Sequence, residues 1–341
     1  MTTLQDGQIG WKKETTFGTY ATPDIFGEVV SEDLEYVPTR VKGAGLRTGR
    51  RMQLSSRHLL ARKDVSGSFT TEATTKLLGK LFEACLTAAG TSTLIDGTSY
   101  QQLFTPTTTD PLNSYTIQVG VPPVGGGAVL PHNFLGCVFT GFEFTLPEQG
   151  PATIKWNVVG KDMETSTALA SASYPAAYEV FTNIHASMTL AGTVTVPTTT
   201  ALATGGTATA VVRDFSLTYG NEVDSNGFNI GGAGARTRKP ALGLRVATGS
   251  FTAEFDSATI RDYFINNTDV AITLRLQTTT AISGSNYPTL EFTLPIARLS
   301  GETPKLNNGD VTTLSADFEV FDGGVAAHPV YVAIVTAETA I

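Results

Sequence analysis

Charge is scarce in this sequence. Asp, Glu, Lys and Arg make up 16% of its 341 residues, against roughly a quarter in ordinary soluble domains. The balance is acidic, a formal −8, which argues against a chain built to grip nucleic acid. Cysteine is scarcer still. Cys85 and Cys137 are the only two, too few for a disulfide framework. Cys85 lies in an apolar helical stretch and Cys137 in an apolar extended one, where a thiol behaves as a small hydrophobe. No run of 18 apolar residues exists, so no membrane-spanning helix is expected. The opening residues Met1–Gly7 lack a basic stretch followed by an apolar one, and a secretory signal is not expected.

Catalytic patterns are missing as well. His58, His132, His185 and His328 are scattered, none in a His-Glu-x-x-His setting, and there is no Cys-x-x-Cys. No Gly-x-Ser-x-Gly elbow occurs. Gly43-Ala-Gly45 and Gly232-Ala-Gly234 lack the third glycine of a dinucleotide fingerprint, and neither is a Walker loop. Loop flexibility is the plainer reading. Glu32/Asp33 and Asp256/Asp262 have no companions for acid–base work and read as solvated carboxylates. Asp256 favours a helix starting at Ser257. No enzyme, metal site or cofactor is expected.

What the sequence has in quantity is Thr, Gly and Ala, with 34 glycines and 16 prolines. Thr favours strands, and Gly and Pro punctuate turns, so the composition points to a mainly β protein. The length suits two domains of ordinary size.

A repeat supports that division. Asp33-Leu-Glu-Tyr-Val is followed by a Gly/Arg-rich loop, then Gly67-Ser-Phe-Thr-Thr-Glu72, then an apolar helix. About half a chain later, Asp214-Phe-Ser-Leu-Thr leads into a second Gly/Arg-rich loop, then Gly249-Ser-Phe-Thr-Ala-Glu254 and another helix. The hexads match at five of six positions, 182 residues apart. The leading Asp precedes its hexad by 34 residues in one copy and 35 in the other. Matched spacing around a matched motif is the trace of duplication. Further on, two alignments compete. Gly141 lies 12 residues before Thr153, as Gly301 does before Thr313, each gap holding a Leu-to-Gly turn (Leu146 to Gly150, Leu306 to Gly309). Against this, Glu143–Pro147 and Glu291–Pro295 are both Glu-Phe-Thr-Leu-Pro. The first alignment preserves the turn spacing and is preferred.

Residues 1–26 carry Trp11, Phe17, Tyr20 and Phe26 among glycines, with neither helical nor strand period. They read as an extended arm. Its aromatics would cost stability in water, so either they pack on something, a neighbouring subunit included, or the terminus frays. Glu28–Val37 reads as a strand ended by Pro38. Arg40–Lys63 then holds eight Lys/Arg and no acid, with Gly43, Gly45 and Gly49 inside it. Helix is disfavoured there. The run reads as a long hairpin or exposed loop, either a basic surface for acidic partners or a solvated one. Glu72–Ala89 is the clearest helix, with Leu77, Leu78, Leu81, Phe82 and Cys85 on one face. Thr70, Thr71 or Thr74 would cap it and Gly90 would stop it. Thr91–Ser114 is polar and turn-rich, without a counterpart in the second half, and reads as an insertion. Strands are expected at Tyr115–Val121, Phe134–Leu146 and Ala152–Val159. In the second half they are expected at Val211–Tyr219, Leu244–Phe255, Val270–Leu276, Leu290–Leu299 and Val311–Phe321, with a short helix over Ser257–Asn266. The resulting division is an arm over 1–26, a first unit over 27–165, a Ser/Thr/Ala-rich linker over 166–180 and a second unit over 181–341.

The order strand, Gly/Arg loop, strand, helix and further strands resembles the tube domain of the major tail (tail tube) proteins of long-tailed, non-contractile phages. The opening Gly10-Trp-Lys-Lys-Glu-Thr-Thr-Phe-Gly-Thr-Tyr-Ala-Thr-Pro23 resembles the N-terminus of such proteins. Phe139-Thr-Gly-Phe-Glu-Phe-Thr-Leu, followed by Ile154–Val159, resembles them too. The resemblance implies two tandem β-sandwich or barrel domains, each with one flanking α-helix and a long hairpin that joins an oligomeric β-barrel. It implies rings closed by edge-to-edge pairing and stacked into a hollow tube, with loops and the arm bridging rings. It carries no catalytic residue. Six tube domains per ring would come from a trimer of this two-unit chain; a hexamer is the rival. Implied partners are further copies of the chain, a tape measure protein in the lumen during assembly, and tail terminator and tail tip proteins. Genomic DNA would pass through without specific binding. Neither cofactor nor membrane is implied, and the location is the virion tail, assembled in the host cytoplasm. An acidic and neutral lumen would repel DNA phosphates. That leaves Arg47, Arg50, Arg51, Arg236 and Arg238, with Trp11 and Phe17 of the arm, for inter-subunit or inter-ring contacts. The alternative is a β-sandwich binding module of a virion, such as a capsid decoration or receptor-binding protein.

Overall fold

The computed structural model describes residues 6–86, 90–108, 112–209, 211–301, 303–304 and 311–341. The first half contributes β1 (Gln8–Lys13), β2 (Ile25–Gly27), β3 (Ser31–Glu32), β4 (Glu35–Lys42), β5 (His58–Glu72), the helix α1 (Leu78–Leu86), β6 (Thr91–Asp96), β7 (Ser99–Phe104), β8 (Tyr115–Val121), β9 (Leu130–Leu146), β10 (Thr153–Gly160) and β11 (Asp162–Glu164). The second contributes β12 (Ala186–Leu190), β13 (Val194–Thr195), β14 (Thr204–Gly205), β15 (Ala208–Thr209), β16 (Val212–Gly220), β17 (Val246–Glu254), α2 (Thr259–Ile265), β18 (Asp269–Gln277), β19 (Thr289–Gly301), β20 (Thr313–Val320) and β21 (Tyr331–Thr336). The protein is mainly β, with open sheets and two α-helices among the described residues.

Eight strands form a continuous antiparallel run in the order β4, β5, β10, β9, β16, β17, β20, β19. Its first four strands and its last four repeat one topology. In each set a hairpin with a long loop is followed by a helix, and the second hairpin strand pairs with the last strand of the set. Gly67 sits opposite Val158 and Gly249 opposite Phe318, so the hexads equate Val158 with Phe318 and Thr153 with Thr313. That agrees with the turn-spacing alignment at Thr153 and Thr313, but at its other end Asn157 faces Gly141 and Asp317 faces Ser300, so Gly141 matches Ser300, one residue short of Gly301. The Glu-Phe-Thr-Leu-Pro match is not structural: Glu143 faces Lys155, whereas Glu291 faces Arg275 and is fully buried. The turn Leu306–Gly309 itself lies outside the described residues.

The leading aspartates are a near miss. Asp33 Oδ1 accepts hydrogen bonds from the Ser68 amide and hydroxyl. At the matching place in the second half the Ser250 amide donates to Ser216 Oγ at 3.1 Å. Ser216 therefore stands where Asp33 does, and Asp214 instead accepts from the Thr252 amide at 2.8 Å. A Cβ on Gly67 would strike the Asp33 carbonyl, and one on Gly249 the Ser216 carbonyl. The hexad glycine is kept in both copies by the same close strand approach.

One face of the eight-strand run is the core. Phe69, Trp156, Phe142, Leu217, Phe251 and Ala316 are buried along it. α1 lays Phe82 on Trp156 and Phe142, with ring centroids 5.1 and 5.3 Å apart. β19 adds Phe292, 4.8 Å from Phe144.

Several local expectations are corrected. The arm expected over 1–26 is in part an interior strand: β1 lies between β2 and β8. Ile9, Gly10 and Trp11 are buried in succession, so no alternation betrays it; residues 1–5 lie outside the described residues. Pro38 does not end its strand but pairs with Lys63 inside β4. An edge strand tolerates the missing N–H. α1 starts at Leu78, because Thr70 and Thr71 belong to β5 and Leu77 has φ 70°. The Leu77 amide donates to the Glu338 carboxylate at 2.8 Å, a partner from the far end of the chain. The end expected over 87–89 is outside the described residues. Thr91–Ser114 is not featureless. It holds β6 and β7, and β7 pairs with β21, so the first half's hairpin extends the second half's sheet. Ser99, Gln101 and Gln102 are buried there, and polar buried side chains hide a strand from a hydrophobic-pattern reading.

Candidate functional site

Two surfaces of the eight-strand run are left open within a single chain. The first is the hairpin of β4 and β5. From His58 to Lys63, β5 pairs with β4 alone, because β10 begins its pairing at Val65. The far edge of β4 has no strand beside it among the described residues. The projecting part is apolar as well as basic. Val41 and Leu59 are paired across the hairpin and are 49% and 55% exposed. In the loop beyond them Leu46 is 99% exposed and Met52 87%. A two-stranded ribbon with an exposed apolar face is marginal in water, and a bare edge invites pairing. Arg47, Arg50 and Arg51 lie exposed in the same loop.

The second hairpin does not project in this way. The Gly/Arg loop between β16 and β17 folds back onto the base of the first hairpin. Arg236 of that loop is 2% exposed and donates to Asp64 of β5 at 2.6 Å. It also donates to the Ser225 carbonyl at 2.6 Å and to the Gly160 carbonyl. Burial lowers the pKa of its guanidinium and Asp64 raises it. Phe228 of the loop packs under Arg62, whose guanidinium lies 3.7 Å from the ring centroid. The Lys63 amide donates to the Gly234 carbonyl at 2.7 Å.

Arg238 is half exposed and pairs with Asp224 at 2.5 Å. Trp11 is fully buried, 6.0 Å from Phe69. Phe17 is half-buried, with Lys161 over its ring at 5.2 Å. The structure thus gathers Arg47, Arg50 and Arg51 on one exposed loop. Arg236, Trp11 and Phe17 make contacts inside the chain.

The second open surface is the polar face of the sheet. Opposite the core side, the strands present Ser, Thr and carboxylates. One rung reads Thr70, Lys155, Glu143, Thr218, Thr248, Glu319 from β5 to β20. The next reads Glu72, Thr153, Thr145, Ser216, Ser250, Asp317 along the same strands. The cations on or beside this face are held in ion pairs: Lys155 with Glu143 at 3.1 Å, Arg213 with Glu254 at 2.6 Å, and Arg298, which lies opposite Glu319, with Asp269 at 2.7 Å. Glu72, Asp214, Asp317 and Glu319 are in none of the ion pairs formed among the described residues. Sequence reading passed over this face residue by residue. Its signal, Ser/Thr/acid alternating with apolar residues at period two in β16, β17 and β20, was present.

No helix among the described residues is long and apolar enough to cross a membrane. Residues 5–320 match the family model described as phage tail tube protein. No curated protein matches the sequence.

Proposed function

The chain belongs to the phage tail tube protein family, and from that premise, as a structural component of the virion tail, we propose that copies of it close into rings that stack as a hollow conduit for DNA. The observation that carries this reading is the projecting β4–β5 hairpin, with its bare edge and exposed apolar residues. Pairing such edges around a ring removes the hazard each poses alone. Two similar units in one chain favour three copies per ring, giving a pseudo-sixfold wall. Arg47, Arg50 and Arg51 meet neighbouring copies, while Arg236 supports the hairpin base from within its own chain. Arg238, held by Asp224, sits at the rim of the same region.

The polar face of the sheet suits the inside of the pipe. Duplex DNA carries one negative charge per about 1.7 Å of axis. A wall of hydroxyls and carboxylates, whose few cations are held in ion pairs, offers it little to stick to and repels it weakly. A tape measure protein would occupy the lumen during assembly, with tail terminator and tip proteins at the ends and the host cytoplasm as the place of assembly. The purified full chain, concentrated and viewed by negative stain, is expected to show rings or hollow tubes. Discrete monomers that bind a glycan or a cell surface would favour a virion binding module instead.

A further inference from the structure

We propose that the bare edge of β4 is covered by the C-terminal end of β19 from a second copy of the chain, in the register the chain already uses internally between β9 and β16. The proposal rests on the self-assembly reading and names the strands and residues that meet.

The internal junction is the template. β16 is the first strand of the second hairpin, and its outer edge is paired with β9: Gly220 lies opposite Gly141 and Phe215 opposite Leu146. β4 is the first strand of the first hairpin. Tyr219 faces Ala247 as Tyr36 faces Val65, and Gly220 faces Val246 as Val37 faces Asp64. The hexads equate Ala247 with Val65 and Val246 with Asp64, so Val37 is the counterpart of Gly220. At the other side of the junction, Gly141 of β9 lies opposite Asn157 as Ser300 of β19 lies opposite Asp317. Ser300 is the counterpart of Gly141.

The two ends of the run are open where the template is closed. β8 leaves β9 at the Tyr115–Cys137 pair, and beyond it β16 takes over the edge. β18 leaves β19 at the Asp269–Arg298 pair, and beyond it no strand follows on that side among the described residues. Burial follows the same division. Gly141, Phe142 and Tyr219 at the internal junction are buried, whereas Ser300 and Gly301 are exposed, Tyr36 is only half-buried and Val37 is 43% exposed. A second copy supplies on one edge what β9 supplies on the other. Antiparallel pairing then places Val37 of one copy directly opposite Ser300 of the next. With eight strands per chain, three copies close about 24 strands. At a spacing of ~4.8 Å and a tilt of ~40° the backbone circle is about 50 Å across.

The test is a pair of cysteines, Val37→Cys with Ser300→Cys, in the full-length chain. Directly opposed strand residues have Cα separations that suit a disulfide. Cys85 and Cys137 are fully buried and do not compete. Val37 and Ser300 lie at opposite ends of the eight-strand run, so any bond between them joins two copies. Mild oxidation of assembled material is expected to convert most of it into covalent dimers and closed trimers on a non-reducing gel. The shifted pair Val41→Cys with Ser300→Cys is expected to give at least ten-fold less. Tubes that form normally while the first pair cross-links no better than the second would overturn the register and leave self-assembly standing. A wild-type chain that never forms rings or tubes would overturn both.

Discussion

Phe142 of β9 and Tyr219 of β16 stack nearly parallel, ring centroids 5.6 Å apart and planes 20° from one another. One residue comes from each half of the chain, so the two halves share a core. Tyr219 Oη donates to Asn221 Oδ1 at 3.0 Å, and Asn221 Nδ2 donates to the Cys85 carbonyl at 2.7 Å, which ties the junction back to α1. Replacing Phe142 with Ala should cost about 3–5 kcal/mol. Urea unfolding followed by tryptophan fluorescence, which reports only on the first half through Trp11 and Trp156, should coincide with unfolding followed by circular dichroism. Two separated transitions in the wild type would contradict a shared core.

The hexad glycines should be intolerant in both copies. Gly67→Ala and Gly249→Ala each push a methyl group into a neighbouring strand's carbonyl, and Gly67 also has φ 140°. Each should lose about 2 kcal/mol or more. Gly49, with φ 75° and open space around it, should lose only about 1 kcal/mol when changed to Ala. Chemical denaturation of the three variants decides it.

The Arg236–Asp64 pair should matter more than its single contact suggests. Asp64→Asn leaves a guanidinium buried without its carboxylate, at a cost of about 2–3 kcal/mol. The double variant Asp64→Asn with Arg236→Met should cost less than the sum of the two single changes. Because Arg236 is buried, the loss should barely change between low and high salt, and a denaturant series at two salt concentrations measures that.

Arg50→Glu combined with Arg51→Glu should leave the monomer's stability within about 0.5 kcal/mol, since both side chains are exposed in a loop. The same variant should fail to polymerise, as judged by sedimentation and negative stain. Tubes of normal length would remove these arginines from the assembly contacts.

Reversing charge on the polar face should do the opposite. Asp317→Lys with Glu319→Lys puts two unpaired cations where the sheet is otherwise acidic. Tubes should still form, while phage carrying the change should lose infectivity by at least ten-fold through slowed DNA exit. An unchanged titre would argue that this face does not line the conduit.

The duplication was legible because the hexad glycine is fixed by backbone contact and the Phe after it by the core, so both survived in both copies. The central strands β8, β16, β17 and β20 alternate and could be read directly. β1 and β21 could not, because both their faces are covered and their residues are apolar or small in succession. β7 was hidden by buried glutamines. The helix start at Leu78 depends on Glu338, some 260 residues away in sequence, and no local rule reaches that far. Among the selected arginines, the sequence could not separate Arg50 from Arg236. Both lie in Gly/Arg-rich loops, and only the fold shows one loop projecting and the other folded back onto Asp64.

The most direct measurement is a cryo-electron microscopy cross-section of the assembled particle. The expected cross-section shows rings of three chains with pseudo-sixfold symmetry, eight strands from each chain in one closed barrel, and Glu319 and Asp317 facing the lumen. Rings of six chains, or an assembly in which the β4 edge of every copy stays unpaired, would contradict it.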